Sequence, residues 1–288
     1  MNKTATGSYA LRINRVIDYI NTHLQEDLSL EQLSQVANFS KYHFHRQFSE
    51  YTGITVSKLV QLMRLKRASY QLVFNKPCRI IDIALDAGFE NPESFSRAFK
   101  KAHGQTPSEF RKEPAWKPWL DHYQIPSVGG KSTMQVKIVD FEETRVAALE
   151  HRGPFEHQYN SIKIFIEWRK ESQLAPIDSS KTFNIFYDDP KTTAREEYRF
   201  DICASIESKV VENSQGVIEK TISGGRCAVL RHIGSTDNLG KSIGYLYSEW
   251  LPASGEEIRD YPLFCHRLEV GIDVLEHQQI TDIYMPLL

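Results

Sequence analysis

The sequence predicts two domains: an all-α N-terminal domain with two helix-turn-helix units, and an α+β domain of two pseudo-symmetric β-α-β-β repeats. Each half of the chain contains an internal repeat, and the sign of the charge reverses between the halves. At 288 residues the chain is also longer than one hydrophobic core usually covers. We place the first domain at residues 1–112, a linker at 113–133 and the second domain at 134–288.

The charge distribution predicts different partners for the two domains. Residues 1–112 hold 16 basic and 10 acidic side chains, a balance of +6, whereas the remainder holds 19 and 27, a balance of −8. A basic domain is attracted to a polyanion and an acidic one is repelled by it. No apolar run approaches the roughly 20 residues of a membrane span, and the polar start lacks a secretion-signal pattern, so a cytoplasmic location is expected.

The first repeat predicts two similar helix-turn-helix units about 50 residues apart. VANFSKYHFHRQFSEYTGIT, at 36–55, matches DAGFENPESFSRAFKKAHGQT, at 86–106. In each copy an apolar helical face ends at Asn38 or Gly88, which suits a tight turn, and a second helix follows. Gly53 and Gly104 end these second helices, and Ser40 is expected to cap the first of them.

Three further helices frame these units. Val56 to Phe74 carries leucines at helical spacing without Gly or Pro, and 19 helical residues measure about 28 Å, close to the roughly 34 Å between successive major-groove faces. An upstream helix bears an apolar face of Ile13, Val16, Ile17, Ile20 and Leu24. Ser29 with Gln32, and Thr106 with Glu109, are predicted capping boxes.

Over residues 8–112 these motifs, in this order and separation, resemble the DNA-binding domain of the AraC/XylS family of bacterial regulators. The resemblance implies seven helices, with Ser40–Tyr51 and Asn91–His103 as recognition helices in adjacent major grooves of about 20 bp of duplex. We expect Arg46 to read guanine, Glu93 to read cytosine, and Lys100 and Lys101 to touch phosphate. The full candidate set is Ser40, Lys41, Tyr42, His45, Arg46, Asn91, Glu93, Ser94, Ser96, Arg97, Lys100 and Lys101. For any single member, an ordinary solvated helix face is the alternative.

The second repeat predicts the architecture of the C-terminal half. TRVAALEHRGPFE, at 144–156, matches GRCAVLRHIGSTD, at 225–237, a separation of 81 residues. The same offset aligns Phe183 with Phe264 and Asp201 with Asp282. Trp168 and Trp250 align only after a shift of one further residue. Alternation predicts a strand, then a Trp-bearing helix, then a strand pair in each copy. His151 and His232 are equivalent and therefore expected to be structural, and the Asp188-Asp189 pair is expected to form a turn.

Residues 134–288 resemble the GyrI-like small-molecule-binding domain through FYDDP, EEYRFDI, AVLRHIG, SEWLPASG and TDIYMPL. The resemblance implies an effector pocket, often for hydrophobic or cationic compounds, at the seam between the repeats. The candidate contacts are Trp168, Tyr187, Trp250, Phe264, His266 and Tyr284, with core packing of these rings as the alternative. In the strand that begins at Phe264, the family usually has a glutamate directly after the aromatic residue, but here that position is Cys265. A thiol offers no charge to pair with a cationic ligand, so specificity for cations is in doubt, unless Glu269 takes the place of the glutamate.

The leading hypothesis is a non-enzymatic transcription regulator whose DNA binding responds to a small molecule. The alternatives are that the GyrI-like domain is a hydrolase, or that it contacts a protein such as RNA polymerase. No Ser-His-Asp order or phosphate loop supports catalysis. Cys78, Cys203, Cys227 and Cys265 lack paired spacing and His43 and His45 lack a third ligand, so no metal or other cofactor is expected. The effector, the operator, the sign of regulation and the oligomeric state are left open.

Overall fold

The computed structural model describes residues 3–116, 134–190, 192–269, 274 and 278–288. The chain divides into two compact units, Met1–Thr133 and Met134–Leu288, and each is described by itself. None of the helices in these residues combines the length and hydropathy needed to cross a lipid bilayer.

The described part of the first unit contains seven helices. They are α1 (Lys3–Thr22), α2 (Leu30–Val36), α3 (Lys41–Thr52), α4 (Val56–Phe74), α5 (Ile80–Asp86), α6 (Pro92–His103) and α7 (Pro107–Lys112). The bounds of α4 are the predicted ones. The two recognition helices begin one residue after the predicted start because Ser40 and Asn91 are their N-cap residues.

The two helix-turn-helix units turn in the same way. Asn38 has φ 52° and Gly88 has φ 77°, so both occupy the left-handed region as the repeat predicted. In each turn the next residue donates its N–H back into the preceding helix, from Phe39 to Ser34 O and from Phe89 to Ala84 O, both at 3.0 Å. Asparagine tolerates this region better than most residues, which explains why the two positions differ in sequence but not in geometry.

Two predicted helix caps are wrong in detail. The Ser40 side chain makes no capping hydrogen bond, although its backbone is extended as a cap requires. Ser29 Oγ accepts from Gln32 N, but the Gln32 side chain donates to Tyr19 Oη at 2.6 Å, so the reciprocal bond of a capping box is absent there. The box at Thr106 and Glu109 is confirmed in both directions.

The segment predicted as a linker begins within the helical unit. Trp116 is buried, and its ring packs on Phe110 at 5.0 Å and Tyr70 at 5.1 Å. Gln105 fastens the chain just before it by donating to Glu113 O and accepting from Ala115 N. The rest of the predicted linker, 117–133, lies outside the described residues.

The second unit is an eight-stranded antiparallel sheet with its helices on one face. Its strands are β1 (Val136–Phe141), β2 (Thr144–Arg152), β3 (Thr182–Phe186), β4 (Arg199–Ser205), β5 (Ile218–Ile222), β6 (Gly225–Ile233), β7 (Leu263–Glu269) and β8 (Ile280–Pro286), in the order β1-β6-β8-β7-β3-β4-β2-β5. Its helices are α8 (Gln158–Ser172), α9 (Leu239–Tyr245) and α10 (Leu251–Ser254), with a π-helical turn at Leu246–Trp250.

Each repeat contains one strand more than predicted. β1 and β5 precede the expected β-α-β-β units, and each pairs with the other repeat, β1 with β6 and β5 with β2. The two repeats therefore interlock through their first strands as well as through the central β3–β7 pair.

The π-helical turn at Leu246–Trp250 accounts for the imperfect match between the two helices. A π turn accommodates one extra residue within a helix. The extra residue that displaces Trp250 from the register of Trp168 is taken up here, so both tryptophans still face the sheet.

Candidate DNA interface and effector site

Arg46 occupies the centre of the exposed face of α3. Phe44 and Phe48 are fully buried on the opposite side. A residue midway between two inward positions spaced four apart lies about 200° from each, which directs Arg46 away from the core. The sequence folds in this way because Phe44 and Phe48, with the partly buried Tyr51, pack into one apolar cluster with residues of α1 and α4.

Arg97 has the same position on α6, between the buried Phe95 and Phe99. Its Nη2 donates to Ser94 Oγ at 3.2 Å, which holds the guanidinium along the N-terminal half of the helix. Asn91 Oδ1 caps α6 by accepting from Ser94 N at 2.8 Å, so of the Asn91 amide only the NH₂ group is left to reach a base.

The other predicted DNA-contacting residues follow the same two faces. Ser40, Lys41, His45, Glu93, Lys100 and Lys101 are exposed, and Ser94 and Ser96 are half-buried. Lys41 Nζ lies 3.9 Å from Glu31 Oε2 in an exposed ion pair. The side chain of Tyr42 lies outside the described residues. The structure thus brings the described candidates together on α3 and α6 and separates them from the core.

In the second unit, the sheet face opposite the helices carries two rows of facing side chains. The first row runs through Asp201, Ile185, Phe264 and Tyr284 across β4, β3, β7 and β8. The second runs through Cys203, Phe183, His266 and Asp282 across the same strands. The repeat offset converts one row into the other, with Asp201 equivalent to Asp282. We call this surface the helix-free face.

The predicted effector contacts divide between the two faces of the sheet. Tyr187, Phe264, His266 and Tyr284 belong to the helix-free face, where Tyr187 follows β3 directly. Trp168 and Trp250 instead pack beneath the helices in two other clusters, so the six residues do not line one cavity. A tryptophan on the inward side of a helix buries most apolar area by packing against the sheet.

Cys265 also points to the covered face. It lies in the same apolar cluster as Leu230 and Leu246, and this burial raises the pKa of its thiol to about 12. Successive strand residues face opposite sides, so Cys265 lies on the other side of β7 from Phe264 and His266. On the helix-free face the adjacent position is His266, which stacks on Phe183 at 4.8 Å. Glu269 lies exposed at the end of β7, beyond a bulge.

Aromatic rings fill the middle of the helix-free face. Phe264 and Tyr284 stack with centroids 4.9 Å apart and planes 4° from parallel. Phe141, from the end of β1, sets its ring edge-on against both, at 4.8 and 5.2 Å. Burial lowers the pKa of His266, and the charge of Lys181 lowers it further, so the imidazole stays neutral at pH 7.

Two buried carboxylates flank these rings, and sequence reasoning missed their role. Asp201 is fully buried; it accepts from Arg152 at 3.0 Å, Lys220 at 2.6 Å and Tyr187 Oη at 2.8 Å. Burial and the bond to Asp201 raise the pKa of Tyr187 to about 12. The signal was available in the repeat itself, since an aspartate at equivalent positions inside two apolar strands needs a buried partner.

The equivalent Asp282 pairs with Arg231. Arg231 grips it with two hydrogen bonds, from Nε at 2.7 Å and Nη2 at 2.8 Å. Both acids therefore lie beneath basic side chains: the Arg231 side chain is 56 % exposed against 11 % for Asp282, and Arg152 is 42 % exposed against 0 % for Asp201.

The equivalent histidines join strand to helix in both repeats. His151 Nδ1 lies 2.9 Å from Ser161 Oγ and its Nε2 3.2 Å from Pro154 O. His232 has matching contacts with Ser242 Oγ at 2.9 Å and Ser235 O at 3.0 Å. Burial lowers the pKa of both rings. The carbonyl partner takes the Nε2–H of each ring, so Nδ1 accepts from the serine hydroxyl, and each histidine links its strand to the following helix.

The comparisons with known proteins divide along the same boundary. A family model described as "GyrI-like small molecule binding domain" matches residues 134–288, and one described as "Helix-turn-helix domain" matches 33–113. "Probable transcriptional regulator YgiV" of Escherichia coli (strain K12) is 42 % identical over 155 residues, covering 54 % of this chain and 97 % of that protein. "Uncharacterized HTH-type transcriptional regulator YbfP" of Bacillus subtilis (strain 168) is 40 % identical over 103 residues, covering 36 % of this chain and 35 % of that protein.

Among solved structures, the chain is similar to one titled "Cryo-EM structure of EcmrR-DNA complex in EcmrR-RPo". The identity is 14 % and the TM-score 0.44, with 91 % of this chain and 85 % of that chain covered. The family assignment comes from the sequence models. The GyrI-like model matches more than half of the chain and begins at the boundary between the two units, and the helix-turn-helix model lies within the first unit. The chain belongs to the GyrI-like small-molecule-binding domain family, and it carries that domain behind an AraC-type helix-turn-helix DNA-binding domain.

Proposed function

We propose that this chain is a transcription regulator that reads DNA with α3 and α6 and changes its DNA affinity when a small molecule occupies the helix-free face. The observation that carries the first half is the equivalence of Arg46 and Arg97. Each stands between two buried phenylalanines on an exposed helix, in one of two copies of the same motif. A guanidinium presented in this way can donate to guanine O6 and N7.

The helix between the two helix-turn-helix motifs, α4, sets the expected length of the DNA site. α4 is 19 residues, or about 28 Å, and it contacts both recognition helices. Two recognition helices connected by a helix of this length fit adjacent major-groove segments of one duplex, about 20 bp in all. Lys41, Lys100 and Lys101 would add phosphate contacts, whose contribution falls as salt rises.

The test is a selection of binding sites from random duplexes with the full chain at physiological salt, followed by affinity measurements on the selected site and its single-base variants. Arg46→Ala should relax discrimination in one half of the site and Arg97→Ala in the other, each by about 1 to 3 kcal/mol. Arg15→Ala, at an exposed position on α1, is the matched control and should leave both halves unchanged. Selection of no sequence, or equal effects of all three variants, would refute this assignment.

Regulation requires that the ligand bind two states of the protein unequally, since a ligand with equal affinity for both shifts nothing. The helix-free face has a feature suited to this: Phe141 packs edge-on against the Phe264–Tyr284 stack and is the last residue of β1, next to the turn into β2. A ligand that reaches the stack displaces Phe141 and so couples occupancy to the position of that turn. The hydrolase alternative receives no support from the His–Ser pairs described above.

A further inference from the structure

We propose that the helix-free face selects an aromatic anion and discriminates against aromatic cations. This inference rests on the proposed function, because it names the chemical class of the ligand for the same site. The observation behind it is the layering of charge at two aspartates, with Arg152 above Asp201 and Arg231 above Asp282; Glu150 lies in the outer layer, where Arg152 and Lys220 are its partners.

The carboxylates beside the rings are already engaged. Asp201 is held by Arg152 and Lys220, and Asp282 by both forks of Arg231. Next to Tyr187, Asp188 is held in the same way by Arg199, through bonds of 2.8 and 2.9 Å. A cationic ligand gains direct charge pairing only where a carboxylate is free, and here it would first have to displace a cation of the protein itself.

The rings of the face are likewise approached by cations of the protein itself. Arg152 and Arg199 each lie 5.6 Å from the Tyr187 ring centroid, and Lys220 Nζ lies 5.8 Å from it. All three are within the distance at which a ring attracts a cation. These three cations also pair with Asp201, Glu150 and Asp188, so a further cation would have to compete with them both for the ring and for the carboxylates.

Donor capacity remains on the outer layer. Arg231 uses two of its five N–H groups on Asp282, and its side chain is more than half exposed. Its Nη1 group is left to bind an acceptor from above, within reach of the half-buried Tyr284. Glu269, the acid outside these pairs, is exposed at the end of β7, where water screens its attraction for a cation.

Three matched probes test the proposal on the full chain by calorimetry: naphthoate as the anion, naphthylmethanol as the neutral ring and naphthylmethyl trimethylammonium as the cation. We expect naphthoate to bind at least tenfold more tightly than the cation, with the alcohol between them. Tighter binding of the cation, equal binding of all three, or binding of none would overturn the proposal.

Substitutions at the Arg231–Asp282 ion pair test whether the preference for the anion can be reversed. Arg231→Gln uncovers Asp282 and should reduce or reverse the preference for naphthoate, while the double variant Arg231→Gln with Asp282→Asn should lose the preference without favouring the cation. The double variant leaves no unpaired buried charge, so it keeps the test valid if the single variant fails to fold. Arg226→Gln is the control, because Arg226 lies on the same strand but pairs with Glu256 on the covered side. An unchanged preference in the folded double variant would contradict the role given to Arg231.

A measurement of DNA affinity distinguishes a failure of the proposed ligand class from a failure of the proposed regulatory function. DNA affinity of the full chain is measured with and without saturating naphthoate on the selected duplex. Selective binding of naphthoate with no change in DNA affinity would refute regulation from this face while supporting the ligand class. A cation that binds better and shifts DNA affinity would support regulation and refute the ligand class.

Discussion

Replacing His103 with phenylalanine should make the helical unit markedly less sensitive to acid. His103 is fully buried at the end of α6, with its ring 4.2 Å from that of Phe99 and 5.0 Å from that of Phe110. Burial lowers its pKa from an ordinary 6.5 to about 3, against the opposite effect of its hydrogen bond with the backbone of Leu65. The imidazole therefore stays neutral in the folded unit across the whole physiological range.

The size of the effect follows from the two pKa values. The unfolded chain takes up a proton at this histidine below pH 6.5, whereas the folded unit does so only near pH 3. The stabilisation is thus complete above pH 6.5 and is lost as the pH falls towards the folded value. At 1.36 kcal/mol per pH unit, the loss at pH 4.5 is about 2.5 kcal/mol.

Urea denaturation of residues 1–118 between pH 7 and pH 4.5 measures this loss. Trp116 is the single tryptophan of that fragment and packs against Phe110, so its fluorescence reports unfolding beside His103. Other acid-sensitive groups contribute equally to the parent and to His103→Phe, so the difference between their curves isolates the histidine. Curves that stay parallel down to pH 4.5 would show that His103 is not held neutral, and the reasoning from burial would fail.

Two further substitutions test contacts that hold each unit together. Gly88→Ala should cost about 2 to 3 kcal/mol, because φ is +77° and a new Cβ would displace the end of the Arg64 side chain, which donates to Leu24 O and Glu26 O. Gly53→Ala, with φ +74° and open space, should cost only the backbone strain of about 1 to 2 kcal/mol. Equal losses in urea would argue against a role for the Arg64 contacts. Arg169→Met should destabilise the second unit by about 3 kcal/mol or more, because the buried guanidinium donates to two carbonyls and two hydroxyls. The control is Lys170→Met, at the exposed neighbouring position, which should change the denaturation midpoint little.

The helical unit was predictable because its signals are local. Apolar spacing defined α4 to the residue, and the repeat placed Asn38 and Gly88 at equivalent left-handed turns. What could not be predicted was the choice among competing hydrogen-bond partners. The Gln32 side chain could accept from the Ser29 N–H through its oxygen, as a capping box requires, or donate through its NH₂ group to a tyrosine 13 residues earlier, and the structure has the bond to the tyrosine. Local pattern contains no information about that neighbour, which arrives through the packing of α1 on α2.

The sheet was less predictable because its pairings are not local. β1 and β5 are mostly exposed strands whose short alternation is weak, and each is fixed by a partner in the other repeat. The face of each aromatic residue, by contrast, was decidable in principle. Strand parity separates Phe264 from Cys265, and helix membership places Trp168 and Trp250 beneath the helices.

The duplicated sheet also explains how one fold can place different chemistry at equivalent positions. By the repeat offset, His266 is equivalent to Ile185, Arg231 to Glu150 and Tyr284 to Cys203. Asp201 and Asp282 are equivalent positions with the same residue type. In the first repeat Glu150 faces Asp201 across the strands, so two acids need Arg152 and Lys220 to neutralise them. In the second, Arg231 faces Asp282 directly and needs no further partner. The second repeat therefore keeps a guanidinium with spare donors beside an aromatic stack, and the asymmetry of the ligand site follows from that single exchange of a glutamate for an arginine.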